Sequence, residues 1–137
     1  MLIAVVELCG KPEGKGRPRF SRSARIAFTP ANTRKYEANL KFAAQEAMAG
    51  QPPFDGPVSV LVEALFPIPQ SWSKKKQAQA LTDEIRHTSR PDVDNLMKSI
   101  DALNQVVFRD DSQIVHAVVT KRYSDRPALR ITVRAVP

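Results

Sequence analysis

Residues 58–66 divide into two alternating sets of positions, one of them apolar throughout. Val58, Val60, Val62, Ala64 and Phe66 interleave with Ser59, Leu61, Glu63 and Leu65, and a period of two is that of a strand with one buried face. Glu63 then reads as a solvent-facing position rather than a metal ligand. Residues 2–9 form a near-continuous apolar run, expected as a first and mostly buried strand. At the carboxyl end, strands are expected over 114–123 and 128–136, joined at Ser124-Asp125-Arg126-Pro127 and read together as a two-stranded hairpin. Leu129, Ile131, Val133 and Ala135 face inward there, and Arg130, Thr132 and Arg134 outward.

Helical spacing takes over between these strands. Tyr36, Leu40, Ala43, Ala44 and Ala47 predict a helix over 31–49, with Pro30 at its start and Gly50, Pro52 and Pro53 at its end. Pro67 and Pro69 close the central strand, and a helix is expected from Ser71 to about residue 84, anchored by Trp72. Val93, Leu96, Ile100, Leu103 and Val107 recur at steps of three and four, the apolar stripe of a third helix. With a short strand near Arg25–Phe28, this order predicts an α+β fold. It is a single compact domain over 1–137, with a mixed sheet of about four main strands and helices packed on it.

Charge adds a partner to this outline. The chain carries 21 Lys plus Arg against 14 Asp plus Glu, a formal net charge of +7, which favours a polyanion and nucleic acid first. The excess is concentrated early. Lys11, Lys15, Arg17, Arg19, Arg22, Arg25, Arg34 and Lys35 are opposed only by Glu13, among Gly10, Gly14, Gly16, Pro12 and Pro18. Such a loop can grip phosphates while its glycines permit close backbone approach. Phe20 in its middle reads either as a wedge between bases or as a core side chain. Lys74, Lys75 and Lys76 fall in the first turns of a helix, unfavourable for its dipole; they either face phosphate or form a solvated end. No apolar run approaches the ~20 residues of a membrane span, and the opening residues lack a signal peptide's basic start, so a cytoplasmic protein is expected. Cys9, the single cysteine, reads as a small buried apolar side chain.

Against this basic background, five of the 14 acids fall within residues 90–115: Asp92, Asp94, Asp101, Asp110 and Asp111. On the third helix Asp94, Lys98 and Asp101 share one face at i, i+4 and i+7. Asp92 and Asp94 would diverge by ~200° if both were helical. Pro91 pushes the preceding residue toward extended backbone, so Asp92 is placed in an extended lead-in with its carboxylate beside that of Asp94. Arg109-Asp110-Asp111-Ser112 reads as the turn after the helix. Oxygen ligands from a lead-in, a helix face and a loop suit a hard divalent cation, Mg²⁺ or Mn²⁺, with Lys98 able to meet developing negative charge. The plainer alternative makes Asp92 an N-cap and Asp110-Asp111 a solvated turn. Arg86, His87 and Arg90 lead toward this motif; His87 and His116 read as incidental rather than as proton shuttles.

The run Arg90-Pro91-Asp92-Val93-Asp94-Asn95-Leu96-Met97-Lys98, then Asp101-Ala102-Leu103-Asn104, then Phe108-Arg109-Asp110-Asp111-Ser112-Gln113-Ile114-Val115 resembles the signature of the RusA family of Holliday junction resolvases. These are small endodeoxyribonucleases often carried by phages and prophages. Gly14-Lys15-Gly16-Arg17-Pro18-Arg19, with Phe28-Thr29-Pro30, looks like the family's DNA-contacting amino-terminal region. The resemblance implies catalytic and metal-binding carboxylates at Asp92, Asp94 and Asp111, a functional Lys98, and supporting roles for Asp101 and Asp110. It also implies DNA contacts from Lys15, Arg17 and Arg19, a four-way DNA junction as partner, and a homodimer making paired nicks in recombination and repair. By charge or placement Phe20, Lys74, Lys75, Lys76 and Arg90 join them as candidate DNA contacts. Two other readings stay open: a non-catalytic basic DNA-binding protein, and a metal-dependent nuclease for other branched substrates.

Overall fold

The computed structural model describes residues 1–14, 19–20, 27–28 and 31–137, with only the backbone described at 19–20, 27–28 and 31–32. The expectations for Lys15 and Arg17, and for the side chains of Arg19 and Phe20, therefore lie outside the described residues. A four-stranded mixed sheet runs in the order β1 (Leu2–Cys9), β6 (Ala128–Ala135), β4 (Val58–Pro67), β5 (Ile114–Ser124). Two residues each of β2 (Arg19–Phe20) and β3 (Ala27–Phe28) pair antiparallel, as the short excursion expected near Phe28 requires. Helices α1 (Ala31–Met48), α2 (Lys74–Leu81) and α3 (Val93–Met97) complete the domain, and α3 runs on as a 3₁₀ turn over Lys98–Leu103. The fold is α+β, as expected.

The core follows the alternation in the sequence. Val58, Val60, Val62, Ala64 and Phe66 are buried, joined by Leu129, Ile131 and Val133 from β6 and by Leu40, Ala44 and Met48 from α1. Leu96, Ile100, Leu103, Val107 and Phe108 close the other end of the same core.

Several expectations need correction. The carboxyl-terminal strands are not a hairpin: β4 lies between them, parallel to β5 and antiparallel to β6. The reason is where β4 stops. Pro67 pairs opposite Ser124 and lacks the N–H needed to extend the ladder, so the Asp125–Pro127 link can step over the strand end to the far side. β1 is not mostly buried; Ala4 and Val6 point inward while Val5 is exposed, and Cys9 is exposed rather than buried. On α1, burial follows Leu40, Ala44 and Met48 at steps of four, which leaves Ala47 in solvent. α2 begins at Lys74 and ends at Leu81, shorter than expected, because Ser73 caps it by accepting the Lys76 N–H at 3.2 Å.

The third helix does not continue to Val107 in α form. The buried Ser99 hydroxyl donates to the Leu96 carbonyl at 2.6 Å, a local bond that competes with the α pattern. Gln105 then sits at φ 68, ending helical structure. Val107 and Phe108 reach the core through the following turn, and Val93 is exposed instead of packed.

Candidate active site

Asp92 occupies the N-cap position of α3 with extended backbone, φ −74 and ψ 159, and Asp94 lies in the first turn. The extended lead-in therefore stands as the spacing requires. Asp92 thus holds the N-cap position, as the plainer reading has it, but its side chain makes no capping hydrogen bond and its carboxylate is not spent on the helix end. Lys98 is exposed and its ammonium donates to Asn95 Oδ1 at 3.3 Å, leaning back along the helix toward Asp94's turn.

The two neighbouring aspartates of the motif separate sharply. Asp110 is the N-cap of a 3₁₀ turn over Asp111–Gln113, accepting the Ser112 N–H at 2.9 Å. Hydrogen bonds from Ser112 hold its carboxyl below its ordinary value of 3.8. Gln113 completes the capping box: its Oε1 accepts the Arg109 and Asp110 N–H groups at 2.8 and 2.9 Å, while its Nε2 donates to the carbonyls of Phe54 and Gly56. Asp111, half-buried, is left to other work. Sequence reasoning gave Gln113 no role, although its position three after Asp110 is the spacing of a capping box.

None of the ion pairs among the described residues uses Asp92, Asp94 or Asp111. Three such carboxylates are the donor set a hard divalent cation takes. Among the described residues, no three His, Cys, Asp or Glu side chains stand together as a ready coordination sphere. Asp101 turns elsewhere, lining a cleft with Arg34, Glu37 and Lys41 of α1.

An open cleft of about 380 Å³ adjoins Asp92. It is lined by Lys11, Glu13 and Gly14 from the segment after β1, and by Arg90, Pro91 and Asn95 from the motif. Gly14 makes this approach possible, since a Cβ there would meet the Cβ of Pro91 at 2.7 Å and that of Asn95 at 3.1 Å. Lys121 on β5 donates to the Ser89 carbonyl at 2.6 Å and ties the lead-in to the sheet. Lys121 is thus a cation beside the motif that the sequence did not single out, and Lys11 of the basic loop joins it; the fold brings them there from 31 residues after and 79 residues before Arg90.

His87 stacks on Phe66 with ring centroids 3.7 Å apart and meets Tyr123 edge-on at 5.2 Å. Burial first, and then the nearby ammonium groups of Lys121 and Lys11, lower its pKa from the usual 6.5. Its role is to pack, in keeping with the reading of His87 as no proton shuttle. The unfolded chain therefore binds a proton at His87 more readily than the folded one. This contribution to stability is complete above pH 6.5 and is lost as pH falls through the interval below it. Urea midpoints measured between pH 7.5 and 5.5 are expected to fall, and to fall less in His87→Gln; equal slopes in the two proteins would refute this.

Trp72 anchors the start of α2 as expected, edge-on to Tyr123 at 5.3 Å, with Lys76 over its ring at 4.1 Å. Lys74 and Lys75 are exposed beside it. Among the described residues no helix is long and apolar enough to cross a membrane.

Residues 10–134 match the family described as "Endodeoxyribonuclease RusA". The chain belongs to the RusA endodeoxyribonuclease family. The match takes in both the cationic segment after β1 and the whole acidic motif, the two parts that meet at the Asp92 cleft. The chain is also 36% identical over 132 residues to a Bacillus subtilis (strain 168) protein whose name is "Uncharacterized protein YqaN", covering 93% of this chain and 92% of that one. As a RusA-family member the protein is an endodeoxyribonuclease.

Proposed function

We propose that this RusA-family endonuclease resolves four-way DNA junctions by paired symmetric nicks, with a divalent cation, Mg²⁺ or Mn²⁺, held by Asp92, Asp94 and Asp111. The observation that carries the reading is the division of labour in the motif. Asp110 and Gln113 build the turn, whereas Asp92 has no capping bond and neither it nor Asp94 nor Asp111 enters an ion pair among the described residues. Carboxylates left out of the structural bonding of a basic protein are suited to chemistry.

When bound, the cation supplies an activated water and charge stabilisation at the phosphodiester. The chain's own side chains do the rest. Lys98, leaning on Asn95, offers its ammonium to the scissile phosphate as negative charge develops there. Lys11 and Arg90 line the cleft beside Asp92 and hold the flanking backbone, and Lys15, Arg17, Arg19 and the Lys74–Lys76 cluster supply further cations for phosphate. Phe20 acts against the bases at the branch, and Asp110 supports the site by capping the turn that carries Asp111. Two nicks at symmetric positions require two copies, so the working unit is a homodimer, acting in the cytoplasm on recombination and repair intermediates.

The deciding experiment compares a synthetic four-way junction with linear duplex and a fork in Mg²⁺ and after chelation. Paired symmetric nicks confined to the junction and lost on chelation are expected. Equal cutting of forks would transfer the reading to a broader branched-DNA nuclease, and binding without cutting in either metal would make the protein a non-catalytic binder.

A further inference from the structure

β5 carries a lysine where its register calls for an apolar side chain. In the parallel ladder Val119 pairs with Val62, Lys121 with Ala64 and Tyr123 with Phe66. Val62, Ala64 and Phe66 are buried, and Val119 and Tyr123 pack against the same core. Lys121 therefore leaves the sheet on the covered face, where a charged group is costly unless something receives it. Its ammonium lies over the Phe66 ring, 5.8 Å from the centroid. None of the ion pairs among the described residues takes it up. It meets instead the Ser89 carbonyl, at 2.6 Å.

The segment that receives this bond is otherwise thinly held. Thr88, Ser89 and Arg90 are exposed. Among the described residues, neither they nor Pro91 form a backbone-to-backbone hydrogen bond. Upstream, the segment is fixed by the His87 ring, stacked on Phe66 at 3.7 Å. Downstream, it is fixed where the Leu96 N–H donates to the Asp92 carbonyl at 3.0 Å. Among the described residues, Lys121 supplies the hydrogen bond between these two points. From Ser89 to Asp92 the chain passes only through Arg90 and Pro91, a span of at most ~10 Å, and the proline ring holds its φ nearly fixed. A link that short and stiff passes the position of one end to the other.

We propose that Lys121 is a positioning residue for Asp92: through the Ser89 carbonyl it fixes the lead-in that brings this carboxylate to the metal site. In this role the ammonium touches neither the DNA nor the cation. β5 also begins directly after the Asp111–Gln113 turn. One strand thus sets two carboxylates that lie on separate segments, Asp111 at its start and Asp92 through Lys121. The metal part of the inference rests on the reading of Asp92 as a ligand; the tie between β5 and the start of α3 does not. A direct contact with DNA phosphate is the competing role for this lysine, but its ammonium is already engaged on the covered face.

The test replaces Lys121 with Met, which keeps an apolar stem and removes the donor, in the full chain. Wild type and Asp92→Asn are measured beside it, and a circular dichroism spectrum like that of wild type is expected. In the protein free of DNA and metal, the Leu96 amide of Lys121→Met is expected to exchange with solvent deuterium several-fold faster than in wild type, with β4 and β6 amides unchanged. Mn²⁺ titrated without DNA, and followed by the electron paramagnetic resonance of the free ion, is expected to bind Lys121→Met about 10-fold more weakly, the order found for residues that orient metal ligands. Single-turnover nicking should then fall at limiting Mg²⁺ and recover at high Mg²⁺, with junction affinity and its salt dependence unchanged. Leu96 exchange and Mn²⁺ affinity equal to wild type would overturn the proposal. So would a loss that appears as weaker junction binding with a flatter salt dependence, which would make Lys121 a phosphate contact. Mn²⁺ binding that survives Asp92→Asn would remove the ligand reading and the metal part of the inference with it, while Leu96 exchange still decides the tie.

Discussion

Asp111→Asn is expected to reduce junction nicking by at least ~10²-fold, the order seen when one preorganised charge-stabilising group is removed, with junction binding retained. Asp110→Asn, one residue away, is expected to leave nicking close to wild type. The contrast follows from the geometry. Asp110 accepts the Ser112 N–H and caps the Asp111–Gln113 turn, a task Asn performs about as well. Asp111 carries no such duty, and Asn keeps its shape while deleting the negative charge a divalent cation requires. Asp92→Asn and Asp94→Asn are expected to behave like Asp111→Asn. Rates measured under single-turnover conditions with saturating enzyme separate the cutting step from binding. Equal losses at positions 110 and 111, or a larger loss at 110, would reverse the assignment.

The second large effect concerns stability. Phe108 is fully buried and links three segments: its backbone bridges to Phe54 and to Asn104, and its carbonyl accepts the Gln105 N–H at 2.8 Å. Phe108→Ala removes a large, fully buried side chain from the core, and is expected to cost ~3–5 kcal/mol. For a chain of this size that corresponds to a fall in Tm of roughly 10–20 °C. Activity falls with it, because Phe108 stands two residues before the turn that presents Asp111. Calorimetry on Phe108→Ala and Asp111→Asn side by side makes the distinction: the first loses stability and activity together, the second activity alone. An unfolding midpoint that barely moves in Phe108→Ala would mean the turn is anchored elsewhere.

Together these variants separate the two halves of the motif. Phe108, Asp110 and Gln113 hold the backbone of the turn through burial and hydrogen bonds. Asp92, Asp94 and Asp111 are spared that work. The same division explains how a domain with a modest core can keep several exposed carboxylates near one another in sequence: neighbouring bonds fix the backbone without consuming their charge.

Much of this was legible without coordinates because it depends on local physics. Period-two burial in β4, the extended lead-in imposed around Pro91 and the acidic motif itself are properties of neighbouring residues. So is the family, since the signature is contiguous. Even Gln113 could have been read from its capping-box spacing.

The tertiary structure decided what depends on distant partners. Whether β5 pairs with β6 or with β4 is a competition between ladders, settled by where Pro67 ends β4 and invisible to alternation alone. The length of α3 was set by Ser99 turning its hydroxyl to the Leu96 carbonyl in a buried setting, which periodicity cannot register. Cys9 and Val5 sit in an apolar run yet face water, because a strand has two faces and only the packing of helices selects the covered one. The convergence of Lys11 and Lys121 on the lead-in required the whole sheet to form first. Sequence determines local conformation and the chemistry on offer; only the folded chain decides which face meets which, since that choice is made by burial between segments remote in sequence.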